Sequence, residues 1–394
     1  MSRPAFELAG IFRQYGETYR KTRRLPLQQL RVMRAIEVCR TAVLGGHIEK
    51  CSHCDYTCQA YNSCRNRHFP KCQTMARIKW LESRKEELLP VEYFHVVFTL
   101  PERIAEIAFY NKEQVYNILF RAASETLLTI AADPQHLGAQ IGFFGVLHTW
   151  GQNLQHHPHV HFVVPGGGIS PDGEGWKSCL PGFFLPVKVL SRLFRRLFLE
   201  QLEKAFEQNK LCFPGSLEAL KTASAFAACL AFQATCEWVV YAKPPFGGAQ
   251  KALEYLGRYT HRVAISNQRL QSIENGEVTF QWKDYRNHDK QKSKTMTLAS
   301  GEFIRRFLIH TLPQGFPRIR HFGLLANRHR KAKLALCRQL LSNPILELLP
   351  DTTREHQTQI EKVIPPCPKC GIGMMIRIGF LPAYRWPEQP PNSS

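Results

Sequence analysis

The stretch HPHVHFVVPGGG, from His157 to Gly168, narrows the choice of folds more than any other part of this 394-residue chain. Its run of Val160, Phe162, Val163 and Val164 ends in a glycine turn at Gly166–Gly168, which reads as a strand and its stop. Alternate side chains of a strand share a face, so His159 and His161 point the same way while Val160 packs behind them. Two imidazoles held side by side on a rigid platform are suitable ligands for a divalent cation. Two polar residues on the wet face of a half-buried strand would give the same pattern, so the motif needs a companion.

EYLGRYTHR, Glu254–Arg262, supplies one. Tyr255 and Tyr259 are four residues apart, which on a helix places them on one face, about 6 Å apart along the axis. A pair of core aromatics would show the same spacing. Here Glu254, Arg258, His261 and Arg262 surround the tyrosines, unlike a buried stripe. A metal-binding histidine strand with a two-tyrosine helix is the set that tyrosine-mediated cleavage of single-stranded DNA requires. The metal polarises the scissile phosphate, and a phenolic oxygen attacks in line to leave a 5′-phosphotyrosine. Arg258 and Arg262 are then candidate DNA contacts.

The charge balance agrees with a polyanionic partner. Fifty-two Lys and Arg against thirty-two Asp and Glu give +20 and a pI near 9.6, which favours nucleic acid. A hydrophobic fraction of 44% excludes general disorder. The N-terminus lacks the apolar core of a signal peptide, and no run of roughly eighteen apolar residues exists. The expected setting is the cytoplasm, with DNA rather than a membrane as partner. Thirteen cysteines, an odd number gathered into close pairs, favour metal binding over disulfides.

Taken in order, residues 1–24 are basic, ending in RKTRR at Arg20–Arg24, and read as an arm or short helix that can touch phosphate. A helix is expected from Pro26, stopping at Gly45–Gly46. Between Cys51 and Gln73 lie Cys51, Cys54, Cys58, Cys64, His68 and Cys72, a density that predicts one structural Zn²⁺. Its expected ligands are Cys51, Cys54, Cys64 and Cys72, with His68 as the alternative fourth and Cys58 behind. A connecting helix over 75–90 leads to a strand at Val91–Pro101, a helix from Lys112 to Ala132, and a strand at Ile141–Gln152. This last strand should form a hairpin with the histidine strand and bring His148 or Gln152 near His159 and His161. A helix from Pro186 to about Asn209, a strand at Cys236–Pro245, the tyrosine helix over Gly247–Thr260, and strands in RVAISNQRL and GEVTFQWKDYR complete an α+β layer of sheet covered by helices. The expected domains are 1–85, 86–300 and 301–394. The last is strongly basic, and Arg305, Arg306, Arg318 and Arg320 are its candidate DNA contacts. CPKC at Cys367–Cys370 reads as a zinc knuckle without an obvious mate, and PEQPPNSS as a disordered tail.

YNSCRNRHFPKCQ, YFHVVFTLP, LHTWGQNLQHHPHVHFVVPGGG, YLGRYTHRVAISN and KTMTL…EFIRRFLIHTLPQGFPRIRHFGLLANR together resemble the two-tyrosine HUH rolling-circle transposases of the insertion sequence 91 family, in the family's order, from about Cys51 to Arg330. The resemblance implies a zinc-binding N-terminal domain and an HUH endonuclease on a ferredoxin-like antiparallel sheet covered by helices. It carries the metal-binding histidines onto His159 and His161 and the nucleophiles onto Tyr255 and Tyr259. One departure stands out: the family's second knuckle is CPxC, and Phe69 occupies the place of its first cysteine. The implied activity is cleavage and rejoining of single DNA strands at the ends of a mobile element and at its target, with Mg²⁺ or Mn²⁺ at the histidines and host replication proteins as further partners. A plasmid or phage replication initiator, or a relaxase, would use the same chemistry. A zinc-dependent DNA-binding regulator would use none of it. A zinc hydrolase would need a third ligand at short spacing, as in HExxH, which the motif lacks.

Overall fold

The computed structural model describes residues 4–243, 257, 260–284, 293–326, 328, 330–342 and 366–384. Tyr255, Arg258 and Tyr259 lie outside the described residues, as do most of the tyrosine helix and the C-terminal tail. The chain opens with α1 (Leu8–Lys21), α2 (Leu27–Glu37), β1 (Gly46–Cys51), β2 (Thr57–Tyr61) and α3 (Pro70–Lys85). It continues through β3 (Tyr93–Thr99), α4 (Glu102–Tyr110), α5 (Lys112–Ala132), β4 (Gly142–Trp150), β5 (His156–Pro165), the short pair β6 (Gly167–Ile169) and β7 (Trp176–Ser178), α6 (Val187–Glu207), α7 (Ala223–Thr235) and β8 (Val240–Lys243). The antiparallel set β9 (Leu270–Glu274), β10 (Glu277–Lys283) and β11 (Ser293–Ala299) follows, then α8 (Ser300–Leu308), β12 (Ile319–Gly323), α9 (Arg330–Leu341) and β13 (Met375–Leu381).

The central sheet runs β12-β4-β5-β3-β8, with every pairing antiparallel. Without the added edge strand β12, the order and the intervening helices are those of a βαββαβ ferredoxin-like unit. Alternation gives the sheet two different faces. Phe94, Val96, Phe98, Phe143, Leu147, Val160, Phe162 and Val164 point into the main core, where α4–α7 cover them. Gly145 is needed there, since a Cβ would sit 2.5 Å from the ring of Phe162, its cross-strand partner. The opposite face carries Tyr93, Phe144, Val146 and Val163 beside the histidines, and Trp80 of α3 packs edge-on against Phe144 at 5.4 Å.

A second core crosses the expected division of the chain. The basic N-terminal segment is not an arm. Leu8, Ile11 and Phe12 of α1 are fully buried at helical spacing, and Phe12 meets Phe307 of α8 edge-on at 5.4 Å. Each such side chain contributes roughly 1.5–3 kcal/mol on burial, which holds the helix down despite its charges. Val278 and Phe280 of β10 join the same cluster. Residues from 1–85, 86–300 and 301–394 all contribute to this cluster. RVAISN is also not a strand, because β9 begins only at Leu270.

The two ends of the described chain meet. β13 pairs antiparallel with β1, from Gly46 opposite Leu381 to Cys51 opposite Met375, in a three-stranded sheet β13-β1-β2.

Candidate active site

β5 turns His159 and His161 to one face, and the β4–β5 hairpin places His148 directly opposite His159. The register thus selects His148 over Gln152, the other residue expected near the pair. Ring nitrogens of His148, His159 and His161 lie within 4.8 Å of one another, close enough to share one ion. Ring centroids are 4.5 Å apart for His148–His161 and 4.8 Å for His159–His161. His159 Nδ1 donates to the carbonyl of His157 at 2.6 Å, which leaves Nε2 with a lone pair. His95 on β3 stacks on His161 at 5.0 Å, and its Nε2 lies 2.8 Å from His161 Nδ1. His95 lies outside the HxH motif, and its one sequence signal is a polar residue inside the apolar run YFHVVF.

Burial pushes His159 and His95 down to about 3, and His161 well below its ordinary value. All three are neutral at physiological pH, as metal ligands must be. The positive charge of Arg262 adds to the depression at His159 and His161, so this guanidinium lies near the histidine face. Arg262 also lines a cavity of about 180 Å³ between α3 and the described residues 257 and 261–269. Arg77 and Arg269 line it too, and among the described residues no carboxylate does. Gly257, between the two tyrosine positions, packs against α3 so closely that a Cβ would fall 2.7 Å from Leu81.

The cysteines sort differently from the expected single cluster. Cys51 and Cys54 face Cys367 and Cys370, with sulfurs 3.7 Å apart for Cys51–Cys370 and 3.8 Å for Cys54–Cys367. These are the edges of a tetrahedron with Zn–S bonds of about 2.3 Å, whose sulfurs stand about 3.8 Å apart. The knuckle that lacked a mate in sequence has one in space. Cys64 and Cys72 instead join Cys39, while Cys58 belongs to neither group. His68, the alternative ligand, is buried beside Arg67, Arg318 and Lys112, which together with desolvation lower it to about 3.

The four C-terminal arginines have partners inside the protein. Arg305 and Arg306 both hydrogen-bond Glu302. Arg318 donates to the carbonyls of Leu147 and Arg262 and lies over the Trp150 ring. Arg320 donates to Asn117 Oδ1 at 2.6 Å and stacks on Phe120 and Phe316.

Residues 142–333 match a family model described as "Putative transposase", and residues 11–100 match the "Transposase zinc-binding domain" of insertion sequence 91. The chain is similar to "Putative transposase y4qJ" of Sinorhizobium fredii, at 59% identity over 99% of each chain. It is also similar to the transposase for insertion sequence element IS801 of Pseudomonas savastanoi pv. phaseolicola, at 30% identity over 74% of this chain and 68% of that one. This chain belongs to the insertion sequence 91 family of transposases. No solved structure matches it.

Within the transposase, the zinc-binding match ends before the second half of the four-cysteine cluster, because Cys367 and Cys370 arrive on the chain's far end. The match to the transposase model begins at β4 and so contains His148, His159 and His161 but not His95. No described helix is long and apolar enough to cross a membrane.

Proposed function

We propose that this transposase cleaves and rejoins single DNA strands through a 5′-phosphotyrosine intermediate, in rolling-circle transposition of its element. The observation that carries the reading is the trio His148, His159 and His161 on one face, with burial keeping His159 and His161 neutral and Arg262 beside them. His148, His159 and His161, with ring nitrogens within 4.8 Å of one another, would hold a divalent cation, Mg²⁺ or Mn²⁺. When bound, the ion neutralises charge on the scissile phosphate.

The chain's own groups supply the rest. Arg262 and the arginine-lined cavity hold the flanking phosphates. The phenolic oxygen of Tyr255 or Tyr259 bonds to phosphorus as the bond to O3′ breaks, giving a 3′-hydroxyl and a tyrosine ester of the 5′ end. The phosphodiester energy is conserved in that ester, so rejoining needs no nucleotide cofactor. A second tyrosine lets the enzyme keep one 5′ end while cutting another strand. Cys51, Cys54, Cys367 and Cys370 would hold a structural Zn²⁺ that ties the chain's two ends together. We place this activity in the cytoplasm, on DNA made single-stranded by host replication proteins.

The test is incubation with a labelled single-stranded oligonucleotide of the element's end, followed by a denaturing gel. A covalent protein–DNA band should form with Mg²⁺ or Mn²⁺. It should vanish in the Tyr255→Phe, Tyr259→Phe double variant and in His159→Ala. A band of wild-type intensity in the double variant refutes the assignment, and no band from the wild-type protein would favour a DNA-binding regulator.

A further inference from the structure

The second cysteine group lies apart from the four-cysteine cluster and has a different composition. Cys39 follows the end of α2, Cys64 follows β2, and Cys72 sits in the first turn of α3. Cys39 Sγ is 3.5 Å from Cys72 Sγ, and Cys64 Sγ is 3.6 Å from Cys72 Sγ. These separations are far beyond a disulfide bond of about 2.05 Å and close to the tetrahedral edge of about 3.8 Å. The backbone N–H of Cys64 points at Cys39 Sγ at 3.3 Å. The same kind of N–H···S contact recurs in the four-cysteine cluster, at Cys54 to Cys51 and Lys369 to Cys367. Such donors stabilise sulfur as thiolate, the form that binds metal.

The fourth vertex has no donor among the described residues. No other His, Cys, Asp or Glu among them joins the three thiols. Phe69, one turn before Cys72, is 1% exposed and belongs to the apolar core against which Cys64 and Cys72 pack. A phenyl ring offers no lone pair. His68 next to it is not part of the group.

The geometry points to a second metal centre in which Cys39, Cys64 and Cys72 hold Zn²⁺ through three thiolates, with an exchangeable small ligand completing the tetrahedron. The chain then carries two zinc ions of different character. Cys51, Cys54, Cys367 and Cys370 close their ion completely, as structural sites do, whereas the trithiolate ion keeps an open position. Chelators and thiol reagents reach the open ion first, so α2, β2 and α3 are tied together by a clip that can be released.

The test uses the full chain loaded with Zn²⁺ alone. Elemental analysis should find two zinc ions per chain, and X-ray absorption should give a mean of about 3.5 sulfurs per zinc, the average of one four-thiolate and one three-thiolate site. A chelator challenge should release one ion at least tenfold faster than the other. Cys39→Ser should bring the count from two to one, and Phe69→Cys, which adds a thiol three residues before Cys72, should slow release of the fast ion. The wild-type measurements decide the matter even if a variant fails to fold. One zinc per chain, with Cys39 alkylated at the rate of a free thiol, overturns the second centre. Two zincs with a mean of four sulfurs overturn its three-thiolate character. Alkylation of Cys367 and Cys370 in the loaded protein would instead count against the four-thiolate centre, so the two readings fail separately.

Discussion

β13 is the element whose place depends most on metal. Its outward side chains bury little, with Ile376 49%, Ile378 58% and Phe380 76% exposed, so pairing with β1 gains little from the hydrophobic effect. A strand held by backbone ladder alone is marginal in water. Replacing Cys367 and Cys370 by serine removes the clip to Cys51 and Cys54. Although 313 residues separate Cys54 from Cys367, this is not the loop that matters for local detachment. α9 is packed through Leu334 and Cys337, and its last residue, Leu341, is the nearest packed anchor among the described residues, 26 positions before Cys367. Closing a loop of that length costs about 3.5 kcal/mol in chain entropy, a few hundred-fold in the opening equilibrium. The assay is amide hydrogen exchange on the full chain, comparing peptides over Met375–Leu381 with peptides over β5. In the double variant the β13 amides should exchange a few hundred-fold faster, with β5 unchanged. If the metal content falls by one ion and β13 keeps its wild-type protection, the strand is held by something other than the thiolates and the reasoning fails.

Three further outcomes are expected. His95→Ala should weaken Mn²⁺ binding, measured by calorimetry, by about 10–100-fold. With metal on His161 Nε2, the Nδ1–H donates to His95 Nε2, and His95→Gln should recover part of the loss because its amide oxygen also accepts; equal affinity in all three proteins would remove His95 from the site. Arg318→Ala should cost about 2–3 kcal/mol in denaturant unfolding, because the carbonyls of Leu147 and Arg262 lose a charged donor; an unchanged midpoint with a weakened salt slope of DNA binding would return this residue to phosphate contact. Glu302, held down to about 2 chiefly by the hydrogen bond from Arg305, stabilises the fold above its ordinary 4.5 and loses that contribution as pH falls from 4.5 toward 2. The stability gap between wild type and Glu302→Gln should therefore close across that window, and a gap that stays constant to pH 2 would refute the ion pair's role.

What could be read from the sequence was local. The alternation of VEYFHVVFTLP and HPHVHFVV fixes the strands and their faces, and the hairpin expected between β4 and β5 carries His148 to its partners because register follows from a short connection. The cysteines could not be sorted the same way. Density between Cys51 and Cys72 suggests one site, yet the partition depends on β13 returning to β1 across more than three hundred residues, and spacing does not encode that. Composition did not reveal the packing of α1 or the internal partners of Arg318 and Arg320, for a related reason. Counting positive charges cannot distinguish a guanidinium facing phosphate from one stacked on Phe120 and bonded to Asn117.

The placement of α3 changes what the zinc-binding segment is for. A ferredoxin-like sheet with α4–α7 on one face leaves the histidine face to be walled by something else. α3, which begins at Pro70 within the trithiolate group, is that wall. Trp80 reaches Phe144 on the sheet and lies 6.1 Å from the ring of His261, Leu81 meets Gly257, and Arg77 lines the basic cavity with Arg262. Arg67, just upstream, donates to the carbonyls of Pro313 and Phe316 at 2.8 and 2.6 Å, which fixes the base of α3 to the turn before β12. The segment matched as zinc-binding thus packs against the histidine-bearing side of the sheet through α3. On the proposed function, a DNA strand approaching the histidines would run beside α3, and Cys72 in that helix's first turn would help set where the helix points.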